Sequence, residues 1–444
     1  MWWLASFILL SLVFSSGVLK SNALPAVVGD YPTQVVNTRP NFDAVSEVLT
    51  MNMIDLTFYK LPNPTGFPFY VRPDPRELDI TRPELYSADW RPGVAALRTA
   101  DYYRSQIGLQ GRAYAAVAER LNLSRDQTYG IFRTFSAAAL AAMLGVLIAF
   151  IFLLWGTEAA AAAFAFCVLS TAFNLFGWSL HWATFTQVAP TALMAAFALK
   201  APMRSRASHA LAFLGLSLLL IVTLACHYEF MTATLAATAM PFFMVYAAGR
   251  ISTKALTGYV VAAFAAGVVA FVVTLAIHHS LYAAAFGDSG LAWMGQRTAR
   301  WGPASLEGPI GFARDLGKVL AINSADIAGY GLPNGLLLLA GVPFLWVAAK
   351  GIAGRRMDDE RVRLALVVSA ALLGSLSWAL VQFPHLAFHP RFSTLVMAFP
   401  LGIFLFAAMG RLLHLHRQER HRRSEPGLTG MQDQPSLSGA HRPA

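Results

Sequence analysis

"TFSAAALAAMLGVLIAFIFLLW", residues 134–155, contains no Asp, Glu, Lys or Arg. An α-helix rises about 1.5 Å per residue, so roughly 20 such residues cross the ~30 Å hydrocarbon core of a bilayer. The run is long enough to do so, and that reading decides the fold class. Nine further apolar runs lie near residues 2–19, 159–179, 186–200, 208–226, 229–248, 256–279, 331–349, 364–382 and 393–412. The expected fold is an all-α polytopic membrane protein of about ten transmembrane helices. Asn174 and Gly177 interrupt the run at 159–179, and the run at 186–200 is short and holds Pro190. Those two are expected to form a broken or re-entrant pair.

Composition agrees with that class. Of 444 residues, 56% are hydrophobic and 13% charged, against about 25% charged in soluble domains; mean hydropathy is +0.51. Cys167 and Cys226 both lie inside apolar runs and read as small packing residues rather than a disulfide. The net charge of +10 would suit nucleic acid on a soluble face. Here the basic residues fall in "KAPMRSRASH" (200–209), "GRISTK" (249–254), "KGIAGRRMDDERVR" (350–363) and "RLLHLHRQERHRR" (411–423), between or after apolar runs. That is the pattern of topology determinants, so no nucleic-acid partner is expected. All four strings then share the cytoplasmic side of a bacterial inner (plasma) membrane, with both termini cytoplasmic. The first run lacks a basic leader and has only a weak cleavage site in Ser21-Asn22-Ala23, so it reads as a retained helix.

The expected organisation is a first transmembrane helix (1–19), an extracytoplasmic loop with a juxtamembrane helix (20–133), a transmembrane bundle (134–279), a second extracytoplasmic loop (280–330), a further bundle (331–412) and a disordered cytoplasmic tail (413–444). A loop as long as 20–133 is either functional or a small domain. No proline interrupts Val94 to Leu121, and Leu97, Ile107, Ala115 and Ala118 recur at roughly helical spacing. This stretch is expected to lie as a helix along the bilayer surface. Ser124 is expected to cap the helix that follows.

Inside that stretch, "DYYRSQIGLQGRAYA" (101–115) is polar and aromatic, beside an apolar run. The string "YYRSQIGLQGRAYA" is similar to a Tyr-x-Ser-Gln-x-Gly-Leu-Gln-Gly motif of bacterial C-type, polyprenyl-phosphate-dependent integral-membrane glycosyltransferases that act on surface polysaccharide. "CHYEF" (226–230) resembles an aromatic–Glu element of the same proteins. The short first helix, large first outer loop and many further spans also look like that superfamily. The resemblance implies an enzyme that moves a sugar from a polyprenyl-phosphate donor to a glycan or lipid-linked acceptor on the extracytoplasmic side. It further implies inversion at the anomeric carbon and a loop carboxylate as general base.

Four carboxylates are candidates for that base: Asp43, Glu229, Asp101 and Asp30. Asp30 and Asp43 follow the first span most closely, as the resemblance requires, but lack an acidic pair flanked by aromatics. Asp43 also precedes a possible helix that it could simply cap. Asp101 adjoins the quoted motif. Glu229 is flanked by His227, Tyr228 and Phe230 between two apolar runs, where an ionisable residue is costly unless used. Asp74 and Asp79 lie in Pro-rich turns and look structural. Candidate substrate contacts are Tyr102, Tyr103, Ser105, Gln106 and Gln110: amides donate and accept as sugar hydroxyls require, and Tyr rings offer flat faces. Tyr102, Tyr103 and Arg104 equally suit interfacial anchoring.

Arg297, Arg300, His389 and Arg391 are the candidates for the carrier phosphate, since Arg forks match phosphate geometry. His385 and His389 have a helical metal spacing, but Pro384 and Pro390 oppose a helix and no third ligand accompanies them. No metal site is expected there and no cofactor is assigned, with a divalent cation left open. Membrane lipid is the remaining partner. A polysaccharide polymerase or a lipid-linked oligosaccharide transporter shares the topology. Transport would call for ionisable residues within the spans and for repeats. The spans hold little beyond Asn174, and no repeat is visible. An acyltransferase would need a catalytic His in its core, whereas His181, His278 and His279 lie near span ends.

Overall fold

In the computed structural model, the run at 134–155 is the C-terminal part of a longer helix. The structure describes residues 2–16, 44–58, 67–69, 101–103, 106–177, 179–203, 205–287, 334–381 and 395–424, with isolated positions between 291 and 316. The helix containing the run spans Arg125–Trp155. It starts where Ser124 closes a capping box: Gln127 N donates to Ser124 Oγ (3.2 Å) and Ser124 N donates to Gln127 Oε1 (2.8 Å). That reciprocal pair satisfies two first-turn donors and sets the start at Arg125 rather than residue 134.

In chain order the helices are α1 (Trp2–Ser16), α2 (Ala44–Phe58), α3 (Leu109–Arg120), α4 (Arg125–Trp155), α5 (Thr157–Leu169), α6 (Thr171–Phe176), α7 (Phe185–Ala198), α8 (Arg206–Cys226), α9 (Met231–Ala247), α10 (Thr253–Phe286), α11 (Asn334–Ala353), α12 (Glu360–Val381) and α13 (Ile403–Ser424). Among the described residues the strands are β1 (Phe67–Phe69) and β2 (Asp101–Tyr103), paired antiparallel with Pro68 opposite Tyr102. Among the described residues six helices are long and apolar enough to cross a membrane: α4, α8, α10, α11, α12 and the kinked Met397–His421 that overlaps α13. Four shorter apolar helices, α1, α5, α7 and α9, accompany them. The chain is a helical, membrane-embedded protein.

Packing ranks these helices. In α12 and in the α13 span 61% of the apolar window is buried, against 28% in α10 and 22% in α11. α9 is central, packed by α7, α10 and α12, while α1 lies along α4 and α13 along α5. Leu214 of α8 and Val261, Phe264 and Val268 of α10 turn away from the core, a face suited to lipid tails. Gly410 lets α13 approach α5 closely: a Cβ there would meet Glu158 O at 2.5 Å and Ala159 Cα at 2.7 Å. Below α13, the π-helical turn Met397–Gly402 carries non-helical Phe399 and Pro400, which together account for the kink.

The alternation of helix direction gathers the connections at two ends. At one end Arg250 reaches Leu153 O (3.5 Å), His209 Nε2 lies 3.2 Å from Tyr259 Oη, Arg411 pairs with Glu360 (2.8 Å) and His414 with Glu158 (3.1 Å). All four basic strings contribute to this end. The other end receives α2, α3 and the connections at 177–184 and 227–230.

Several sequence expectations need correction. The stretch 94–121 is not one helix: Asp101–Tyr103 is strand, and α3 begins only at Leu109. Gly108 sits at φ 72° as the N-cap, a left-handed conformation that interrupts any helix arriving from before it. The run 159–179 breaks at Ser170, ahead of Asn174; Ser170 Oγ caps α6, and Asn174 Nδ2 donates to Val168 O and Ser170 O, both at 2.9 Å. The terminal helix does not stop at 412. It runs to Ser424, and along it Arg411, His414, Arg417 and Glu419 pair with Glu360, Glu158, Glu158 and Arg361 respectively. Likewise α10 continues past 279 to Phe286.

Candidate functional site

The site grows from the short connection His227–Phe230 between α8 and α9. α8 ends at Cys226 because His227 is extended (φ −167°, ψ 152°). The next residues are gripped from several directions. Gln106 Nε2 donates to Glu229 Oε1 at 2.6 Å, and Trp378 Nε1 of α12 donates to the Glu229 carbonyl. Tyr228 Oη lies 3.1 Å from His278 Nδ1 of α10. Glu229 and Gln106 are both buried, at 7% and 2% exposure.

A second cluster adjoins the first through the 177–184 connection. Gln110 Nε2 donates to His181 O at 2.6 Å, and Thr50 Oγ1 of α2 lies 3.1 Å from His181 Nδ1. His227 Nε2 lies 2.9 Å from Trp182 O and 3.0 Å from Gln187 Nε2. The Trp182 carbonyl can only accept, so His227 carries its proton on Nε2 and presents Nδ1 as an acceptor, and the Gln187 amide then turns its oxygen rather than its NH2 toward that proton. The Trp182 ring stands between the two imidazoles, at centroid distances of 5.1 Å and 5.5 Å, and touches Phe230 at 5.3 Å. Phe230 in turn meets Trp378 at 5.5 Å. Burial pushes the His181 pKa down to about 3, with nearby His227 adding to the shift. It pushes His227 to about 4, partly opposed by the bond to Trp182 O. Both imidazoles are neutral at pH 7.

Among the described residues, three buried acceptors here have no hydrogen-bond partner: Gln106 Oε1, Gln110 Oε1 and His227 Nδ1. Each belongs to a side chain whose donor is already committed. Such an orphan costs about 1–3 kcal/mol, and all three suit a ligand that brings O–H or N–H donors.

The structure therefore brings Gln106, Gln110 and Glu229 into one cluster. Asp101, Tyr102 and Tyr103 form β2, just before Gln106 in the chain. Asp30, Asp43, Ser105, Arg297, Arg300, His389 and Arg391 lie outside the described residues. α2 does begin immediately after residue 43.

Sequence reasoning missed Asp55. It lies on α2, 2% exposed, with Asn52 at 1%, and among the described residues Asp55 and Glu229 are the two buried carboxylates. α2 is seated by Met51 and Ile54 packing with Tyr114, Ala115 and Ala118 of α3 and Leu180. A Cβ at Gly111 would come 2.6 Å from Met53 Sδ, so the glycine permits that approach. The available signal was Thr50, Asn52 and Asp55 within the apolar helix "AVSEVLTMNMIDLTF". Trp182, His181, Gln187 and Trp378 were also unassigned, since nothing local marks them. Among the described residues no three His, Cys, Asp or Glu side chains gather to hold a metal ion. Cys167 and Cys226 are buried free thiols.

No protein-family model, curated protein or solved structure matches this chain.

Proposed function

We propose that the chain is an integral-membrane glycosyltransferase that takes a sugar from a polyprenyl-phosphate donor. The observation that carries the reading is the Gln106–Glu229 hydrogen bond of 2.6 Å. It joins, inside a buried aromatic setting, the two sequence elements on which the resemblance rests. The three orphan acceptors add support, because sugar hydroxyls are donors that would satisfy them.

In this reading Glu229 is the general base. Its carboxylate takes the proton of an acceptor hydroxyl as that oxygen bonds to the anomeric carbon. The carbon–oxygen bond to phosphate breaks with inversion, and polyprenyl phosphate leaves with the electron pair. Positioned proton abstraction typically contributes about 10²–10⁴ in rate. Asp55, the other buried carboxylate among the described residues, lies on α2, whose Thr50 reaches His181 of the site. Trp182, Phe230 and Trp378 supply apolar faces for a sugar ring. Arg297, Arg300 and Arg391 bind the donor phosphate.

The ten apolar helices all cross the bilayer in this proposal. The basic end faces the cytoplasm of a bacterial inner membrane, with both termini there, and the Glu229 end faces outside. Reporter fusions at Pro73 and Arg355 are expected to give opposite signals, and matching signals would reject the topology. The function is tested by deleting the gene and analysing surface glycans, then restoring it as wild type or Glu229→Gln. Loss of one sugar residue, recovered by wild type but not by Glu229→Gln, is expected. An unchanged glycan composition refutes the enzyme. A shortened glycan with its repeat unit intact points instead to a polymerase, and accumulated lipid-linked sugar with unchanged transfer activity to a transporter.

A further inference from the structure

The carboxylate of Glu229 is only as well aimed as the peptide that carries it. That peptide lies in a short connection, with α8 ending at Cys226 and α9 starting at Met231. Gln106 fixes the carboxylate and Trp378 the Glu229 carbonyl. The preceding residue is held separately. The Tyr228 and His278 rings stack 5.8 Å apart at 18°, and Tyr228 Oη lies 3.1 Å from His278 Nδ1. His278 is fully buried and backed by the Tyr282 ring at 4.4 Å, one turn further along α10. α10 has 34 residues, about 51 Å of helix against a ~30 Å hydrocarbon core. Its C-terminal turns, which carry His278 and Tyr282, thus form a stiff post beside the connection.

We propose that Tyr228 and His278 are positioning residues for Glu229. The phenol–imidazole bond ties the connection to α10 and so fixes the backbone from which the Glu229 side chain reaches Gln106. Without it, rotation about the Tyr228–Glu229 backbone would let the carboxylate swing away from the amide. The placement of Glu229 is argued from geometry alone; its consequence for turnover rests on the glycosyl-transfer reading above.

The test uses the full-length chain in lipid nanodiscs and infrared difference spectroscopy at fixed pH. The carboxyl band lost in Glu229→Gln identifies Glu229. In Tyr228→Phe, which keeps the stacked ring, and in His278→Leu, that band is expected to shift as the Gln106 bond loosens. His278→Asn, which offers an acceptor near the Nδ1 position, is expected to restore it. Thermal stability of Tyr228→Phe at the wild-type level separates aiming from folding. With a polyprenyl-phosphate-linked hexose as probe donor, kcat is expected to fall at least tenfold in Tyr228→Phe with KM unchanged. An unshifted band in both Tyr228→Phe and His278→Leu overturns the proposal, as does a rise in KM with kcat unchanged. Full activity in Glu229→Gln, with the band shifts present, overturns the glycosyl-transfer reading and leaves the positioning intact.

Discussion

Removing the Gln106 amide isolates the interaction on which the site depends. Gln106→Ala deletes a buried donor 2.6 Å from Glu229 Oε1. The amide oxygen has no partner among the described residues, so the effect belongs to the Nε2 bond and packing. A hydrogen bond to an ionised group contributes about 1.5–3 kcal/mol, and a neutral one about 0.5–1.5 kcal/mol. A double-mutant cycle with Gln106→Ala and Glu229→Ala separates the pair from the rest of the packing, because each single variant deletes the bond. Equilibrium unfolding in mixed micelles is the assay. A coupling of about 2 kcal/mol is expected for an ionised Glu229, and a value under about 1 kcal/mol would mark a neutral pair. Coupling indistinguishable from zero would refute the claim that this bond organises the site. Turnover should drop more steeply than stability, since an Å-scale misplacement of a reacting group costs about 10²-fold.

Asp55→Asn preserves volume in a fully packed position; it is expected to insert normally yet fail to restore the surface glycan, and full restoration would remove Asp55 from the site. Gly410→Leu forces a side chain into the Glu158–Ala159 backbone. Overpacking typically costs about 1–3 kcal/mol, so a clear fall in thermal stability is expected, while an unchanged melting curve would contradict the close α5–α13 contact. Burial depresses the pKa of His181 to about 3 and of His227 to about 4. A depressed imidazole stabilises the fold above its unfolded value near 6.5 and loses that contribution as pH falls toward the folded value. Unfolding free energy should therefore drop by about 1.4 kcal/mol per histidine between pH 7.5 and 5.5. His181→Gln should flatten that slope, and an equal slope in wild type and variant would contradict the assignment.

The sequence by itself determined the class and the locations of the apolar helices. Apolar length is a one-dimensional property, because a helix in lipid satisfies its own backbone and needs only a long enough run. The six long helices and four short ones accordingly fall on the ten apolar stretches. Local capping was legible too, as at Ser124, because cap and first turn are neighbours in the chain. Glu229 and the two glutamines stood out as polar residues placed beside apolar runs, and the fold brings them into one cluster.

Only the tertiary structure decided which polar groups meet. Gln106 and Glu229 are 123 residues apart in sequence, Thr50 and His181 131, and Trp378 and Glu229 149. No spacing rule spans such distances, because the contacts depend on how segments far apart in the chain pack together. The same holds for Asp55. In sequence it is one polar residue in an apolar helix, the pattern of an ordinary surface position. It became a buried carboxylate only when Met51 and Ile54 seated α2 on α3 and Leu180. Helix ends also differ from the apolar run: α13 continues to Ser424, and its charged turns pair with Glu158, Glu360 and Arg361 on neighbouring helices. Hydropathy set which segments are apolar helices, and packing between distant segments set which polar groups meet at their ends.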